Sequence, residues 1–202
     1  MKSLSEQIKT ATWSVHETLE ELPFGSHLKN GTLPIEGYIA QLQAYYLIHR
    51  ALETACRSEY MPPISKLWQE TFVKTPLLIA DLKALNAVCL EEMPAAQPLV
   101  DFIAQASSIE LAGILYVFEG STMGAIAMYP TICQAYQLQE QGVQYFHGYG
   151  KQTYYHWKAF KIHFDEILKQ DIMVQQQVIE TTQKTFEEVA VLFTHLWDNI
   201  RH

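Results

Sequence analysis

Charge is scarce in this chain of 202 residues. Charged side chains make up 18%, with 14 Lys and Arg against 22 Asp and Glu, for a net charge of −8. The broad positive footprint of non-specific nucleic-acid binding is missing. Cysteine is scarcer still. Cys56, Cys89 and Cys133 are odd in number, widely spaced and form no C-x-x-C, which argues against a disulfide framework and for a reducing, cytoplasmic setting. Positions 1–11 hold no apolar run of the kind a secretory signal carries. The longest apolar stretch, Leu111 to Phe118, is far short of the ~20 residues of a membrane span. Neither nucleic acid nor membrane is therefore expected as a partner. Alternating apolar and polar segments are lacking too, so no strand pair is expected. No histidine has a glutamate three residues before it, the Glu-x-x-His pairing of di-iron carboxylate bundles.

What is present is apolar material, 49% of residues, enough for a sizeable core in one domain covering 1–202. Its spacing is helical. Leu4, Ile8, Ala11, Val15, Leu19 and Leu22 form one amphipathic stripe, ended by Pro23 and Gly25. Tyr38, Leu42, Tyr45, His49, Leu52 and Cys56 form a second, from about Pro34 to Arg57. Shorter helices are expected over 64–90, broken at Pro76, and over 98–106. A long helix starts near Ser107, where Ser107 and Glu110 have capping-box spacing. It runs to about Gln139 with a kink before Pro130. Helices over 153–169 and 174–200 complete an all-α bundle of about seven helices.

Two features could carry chemistry. Gly113, Gly120 and Gly124 lie close to one face of the long helix, and each costs about 1 kcal/mol relative to alanine. Either another helix packs tightly on that face or a flat ligand lies against the bare backbone, beside Ser121 and Thr122. The second feature is His16, at the border of the first stripe. Lys9 lies two turns before it and Glu20 one turn after. Glu20 could hold one imidazole nitrogen and leave the other for a metal. Lys9 could meet an anionic group. A solvated helix face would show the same charges.

Thr12-Trp-Ser-Val-His-Glu-Thr-Leu-Glu resembles the proximal helix of the biliverdin-producing heme oxygenases. Glu119-Gly-Ser-Thr-Met-Gly-Ala resembles the distal helix of their bacterial branch. Phe146-His-Gly-Tyr-Gly with Trp157-Lys-Ala-Phe, and Gln177-Val-Ile-Glu-Thr-Thr-Gln-Lys-Thr-Phe, resemble later segments of the same family, in the same order. The resemblance implies a kinked distal helix, with heme as both substrate and cofactor. It implies His16 as the iron ligand, with Glu20 behind it. It places Gly120 and Gly124 against the heme face, Tyr116 and Phe118 as pocket walls, and Lys9 and Lys158 as propionate contacts. Ser121 stands where many members carry an aspartate that orders water, and Ala125 where a second glycine often follows. The implied reaction opens heme to biliverdin, carbon monoxide and ferrous iron, with electrons from a reductase or ferredoxin. A non-catalytic heme binder on the same fold is the alternative. A thiaminase-like enzyme would need a nucleophilic cysteine in the pocket, and Cys133 reads as core.

Overall fold

The computed structural model describes residues 2–169 and 171–201. Ten α-helices run through them: α1 (Leu4–Glu21), α2 (Pro23–Lys29), α3 (Ile35–Ser58), α4 (Ile64–Leu67), α5 (Thr75–Ala84), α6 (Gln97–Gln105), α7 (Ser108–Tyr136), α8 (Gln144–His147), α9 (Thr153–Leu168) and α10 (Ile172–Arg201). No strand occurs among the described residues. The architecture is the all-α bundle expected. The seven longer helices are those the apolar stripes outline, and α2, α4 and α8 are short additions of seven, four and four residues.

Local chemistry sets the boundaries. Ser3 opens α1 and Ser107 opens α7, each with a complete capping box closed by Glu6 and Glu110. Such a box satisfies two backbone donors that a helix start otherwise leaves bare. The first helix ends before Pro23 and the helices over 64–90 break just before Pro76, as expected; each proline also sits in the first turn of the helix that follows, α2 and α5. Proline suits that position, because its fixed φ is helical and its missing N–H would have had no partner there. The long helix runs through Pro130 and stops at Tyr136, where Gln137 turns into the left-handed region with φ 56°.

α7 is the central element. It is buried continuously from Leu111 to Glu119, as expected of a helix that is apolar all round. By length and composition it could cross a membrane, but 61% of its most apolar window is buried within the protein. It packs most extensively on α10, and also on α8, α9, α3 and α4; α1 lies across α10 and α9. The short α8 is tied to α5 by Asp81, whose carboxylate accepts the N–H groups of Gln144 and Tyr145 at 2.8 Å each.

Candidate functional site

A cavity of about 700 Å³ opens between α1, α2, α3, α7, α8, α9 and α10. Most of the residues singled out in the sequence line it. Lys9, His16 and Glu20 come from α1, and Tyr116, Phe118, Gly120, Ser121 and Gly124 from α7. Lys158 does not. It is exposed outside the lining, and the lysine of α9 that reaches the cavity is Lys161, whose ammonium lies 5.4 Å from the centroid of the Trp157 ring. The spacing of α9 explains the difference. Trp157 and Lys161 are four residues apart and share a face, whereas Lys158 is rotated away from it.

The three glycines separate. A Cβ on Gly113 would meet the Thr181 Cβ and the Val178 carbonyl at 3.0 Å each, so that position serves helix packing against α10. A Cβ on Gly120 would lie 3.2 Å from the indole of Trp157. On Gly124 it would meet nothing within 4 Å, and Gly124 lines the cavity. Bare backbone is thus presented to the cavity at the C-terminal end of the glycine stretch, and close helix packing explains its N-terminal end.

His16 is half-exposed at the cavity edge. Its Nδ1 lies 3.5 Å from Glu20 Oε1, and its ring meets Phe186 edge-on at 5.7 Å. Lys29 donates to Glu20 Oε2 at 2.7 Å. That hydrogen bond holds the Glu20 carboxyl below the usual carboxylate range. The glutamate is therefore anionic and faces Nδ1, which leaves Nε2 unengaged by Glu20, an arrangement of the kind found behind metal-bound imidazoles.

Several participants were not foreseen from the sequence. His49 Nε2 lies 3.0 Å from the Tyr145 hydroxyl, and both residues are buried. Burial pushes the His49 imidazole down to about 3 and raises the Tyr145 phenol, so both are neutral. Gln41 and Tyr45 join Tyr145 in the lining. On the far side of α7, Lys74 and Glu119 form a buried ion pair at 3.0 Å. Tyr149 accepts from Lys74 and donates to Glu119 Oε2, each at 2.8 Å. Glu119 and Tyr149 lay in motifs that stood out, but nothing in the sequence joined them to Lys74. Lys74 comes from a loop, and no periodicity could have paired it with a residue 45 positions away.

The arrangement suits a flat, mostly apolar ligand bearing anionic groups. A single imidazole supported by a carboxylate stands on one helix, and bare backbone on another. Lys9, Lys29 and Lys161 supply positive charge in the lining. Among the described residues no three His, Cys, Asp or Glu side chains converge to hold a metal. None of the three cysteines lines the cavity, so a thiaminase-like nucleophile is lacking there.

The family model described as heme oxygenase matches residues 2–195. No curated protein sequence matches the chain. Heme oxygenase-1 of the cyanobacterium Synechocystis sp., solved in complex with heme, superposes with a TM-score of 0.83 at 18% identity, covering 98% of this chain and 94% of that one. Heme oxygenase from Leptospira interrogans gives 0.87 at 17% identity, covering 96% and 100%. A TenA homologue from P. horikoshii is more distant in shape, at 0.66 and 15%, covering 98% and 99%. With the family model spanning almost its entire length, the chain belongs to the heme oxygenase family.

Proposed function

We propose that the protein binds heme through His16 Nε2 and opens it oxidatively to biliverdin, carbon monoxide and ferrous iron. The observation that carries this reading is the pairing, in one cavity, of a carboxylate-backed imidazole on α1 with the side-chain-free backbone of α7. The cavity volume lies within the ~300–1,000 Å³ typical of small-molecule sites. Heme, as substrate, brings the redox-active iron and the ring carbon that is oxidised, and a reductase or ferredoxin supplies the electrons.

The protein residues then have separate tasks. His16 is a neutral ligand, and Glu20, itself fixed by Lys29, sets its tautomer and orientation. Gly124 and Gly120 let the ring lie against the backbone of α7. Tyr116 and Phe118 wall the pocket; the Tyr116 hydroxyl is turned away and donates to the Ser5 carbonyl at 3.2 Å. Lys9 and Lys161 meet the two propionates, and Lys161 takes the part the sequence assigned to Lys158. Ser121 lines the same cavity and would meet the bound ring as a neutral group. The unpaired cysteines support a cytoplasmic setting.

Hemin titration tests the ligand assignment. The wild type is expected to bind one heme with a histidine-ligated spectrum. His16→Ala is expected to lose that spectrum and to regain it on addition of imidazole. An unchanged Soret band and ferrous–carbonyl spectrum in His16→Ala would refute it.

A further inference from the structure

Lys9 and Lys161 stand on different helices, and one contact between those helices sits a turn from both. Ser5 lies four residues before Lys9 on α1, and Asp165 four residues after Lys161 on α9, so each pair shares a helix face. The Asp165 carboxylate accepts the Ser5 backbone N–H through Oδ1 and the Ser5 hydroxyl through Oδ2, each at 2.7 Å. The Ser5 carbonyl accepts from the Tyr116 hydroxyl of α7. Every polar group of Ser5 is thus held by another helix, and Ser5 itself is 8% exposed and lines the cavity.

The position of the clamp gives it leverage. The Ser5 N–H is among the first of α1, which find no acceptor inside the helix, and a carboxylate is favoured at that end by the helix dipole. The local capping box is already complete with Ser3 and Glu6, so Asp165 is a further cap supplied from another helix. One carboxylate that takes a backbone and a side-chain donor from the same residue fixes both the height and the rotation of α1 at that point. Four residues rise about 6 Å. The clamp therefore closes one end of the cavity, and the two lysines stand a turn further along its walls. Both carboxylate oxygens are committed to Ser5. Neither Lys9 nor Lys161 takes part in an ion pair among the described residues, which leaves both ammonium groups for a ligand.

We propose that the Ser5–Asp165 clamp sets the separation of Lys9 and Lys161, and so selects ligands that carry two carboxylates at that spacing. Asp165 is a positioning residue. It does not line the cavity and acts through the lysines. The selection of a dicarboxylate rests on the heme-binding reading above; the hold of the clamp on helix spacing does not. The sign of the effect separates positioning from charge. Removing a carboxylate one turn from a lysine strengthens by Coulomb attraction the binding of an anion there, whereas loss of spacing weakens it.

The test uses full-length Asp165→Ala, which breaks the clamp, and Asp165→Asn, which removes the charge and keeps an acceptor for the Ser5 N–H. Hemin and its dimethyl ester, which has no carboxylates, are the probes. Asp165→Ala is expected to raise the Kd for hemin about tenfold, the loss of roughly one charge-assisted contact, and to leave the Kd for the ester close to that of the wild type. Asp165→Asn is expected to bind hemin at least as tightly as the wild type. Ser5→Ala, which loses only the hydroxyl arm, is expected to fall between, and takes the place of Asp165→Ala if that variant does not fold. Crystal structures of the heme-free proteins are expected to show Lys9 and Lys161 further apart at Cα in Asp165→Ala. An unchanged separation would overturn the clamp. Equal losses for hemin and ester, or tighter hemin binding in Asp165→Ala, would overturn the selection. If the wild type binds neither probe, the heme-binding reading fails, and the crystal structures still decide the clamp.

Discussion

Gly113 and Gly124 occupy the same helix and have opposite surroundings, so alanine should act on them with opposite signs. At Gly124 a methyl group enters open space, and the gain in helix propensity should stabilise the heme-free protein by up to about 1 kcal/mol. The larger Gly124→Leu should block heme. At Gly113 a methyl group presses on the Thr181 side chain and the Val178 carbonyl, and overpacking of that kind costs about 1–3 kcal/mol. Urea denaturation of Gly113→Ala and Gly124→Ala measures both. Shifts of the same sign would show that the two positions do not differ as described. In the sequence the glycines differ only in position, because spacing gives a face and not what covers it. His16, Glu20 and Lys9 were legible, since one helix carries all three at multiples of a turn. Lys29, Gln41, Tyr45, Tyr145 and Lys161 were not, because the cavity gathers them from four other helices.

At the scale of elements, apolar stripes and capping boxes outlined the long helices and their starts, and what they missed was short. A proline closes one helix and opens the next with equal ease, so α2, which begins at Pro23 directly after α1, did not show as an element of its own. The loop before α5 posed a harder problem. There Lys74 inserts its ammonium into the core, donating to the Phe72 carbonyl at 3.1 Å as well as to Glu119 and Tyr149. Meanwhile Glu53 of α3 accepts the Lys74 and Thr75 N–H groups. This knot anchors α7 at the residue directly before Gly120. Removing one charge leaves the other buried without a partner, so Lys74→Met should cost about 3–5 kcal/mol. The double variant Lys74→Met/Glu119→Leu should recover most of that, because well-packed apolar replacements of buried pairs are often neutral. Melting curves of the two variants check it; equal destabilisation would mean that the loss comes from packing around Lys74 and not from the stranded carboxylate.

For the whole molecule, Asp81 makes stability depend on pH. It is fully buried, and burial raises its carboxyl to about 6 despite the N–H groups it accepts. The folded state therefore holds this proton more tightly than the unfolded chain, whose aspartates titrate near 3.9. The contribution is complete below pH ~4, declines as pH rises toward 6 and is flat above that. Its size is on the order of 2–3 kcal/mol. Subtracting the unfolding free energies of Asp81→Asn from those of the wild type across pH 4–7 should isolate this slope. A difference that does not vary with pH would contradict it. The same Asp81 ties down α8 and with it Tyr145, so the cavity wall and the stability of the bundle share one buried carboxylate.

The central claim is that this bundle turns heme over. The direct measurement is single-turnover spectroscopy of the wild-type heme complex supplied with ascorbate or a reductase, with carbon monoxide collected. The Soret band is expected to decay while the broad red absorption of biliverdin grows and carbon monoxide is released. A complex that is reduced and reoxidised with its Soret band intact, yielding no biliverdin with any donor, would contradict the claim and leave a heme-binding protein on this fold.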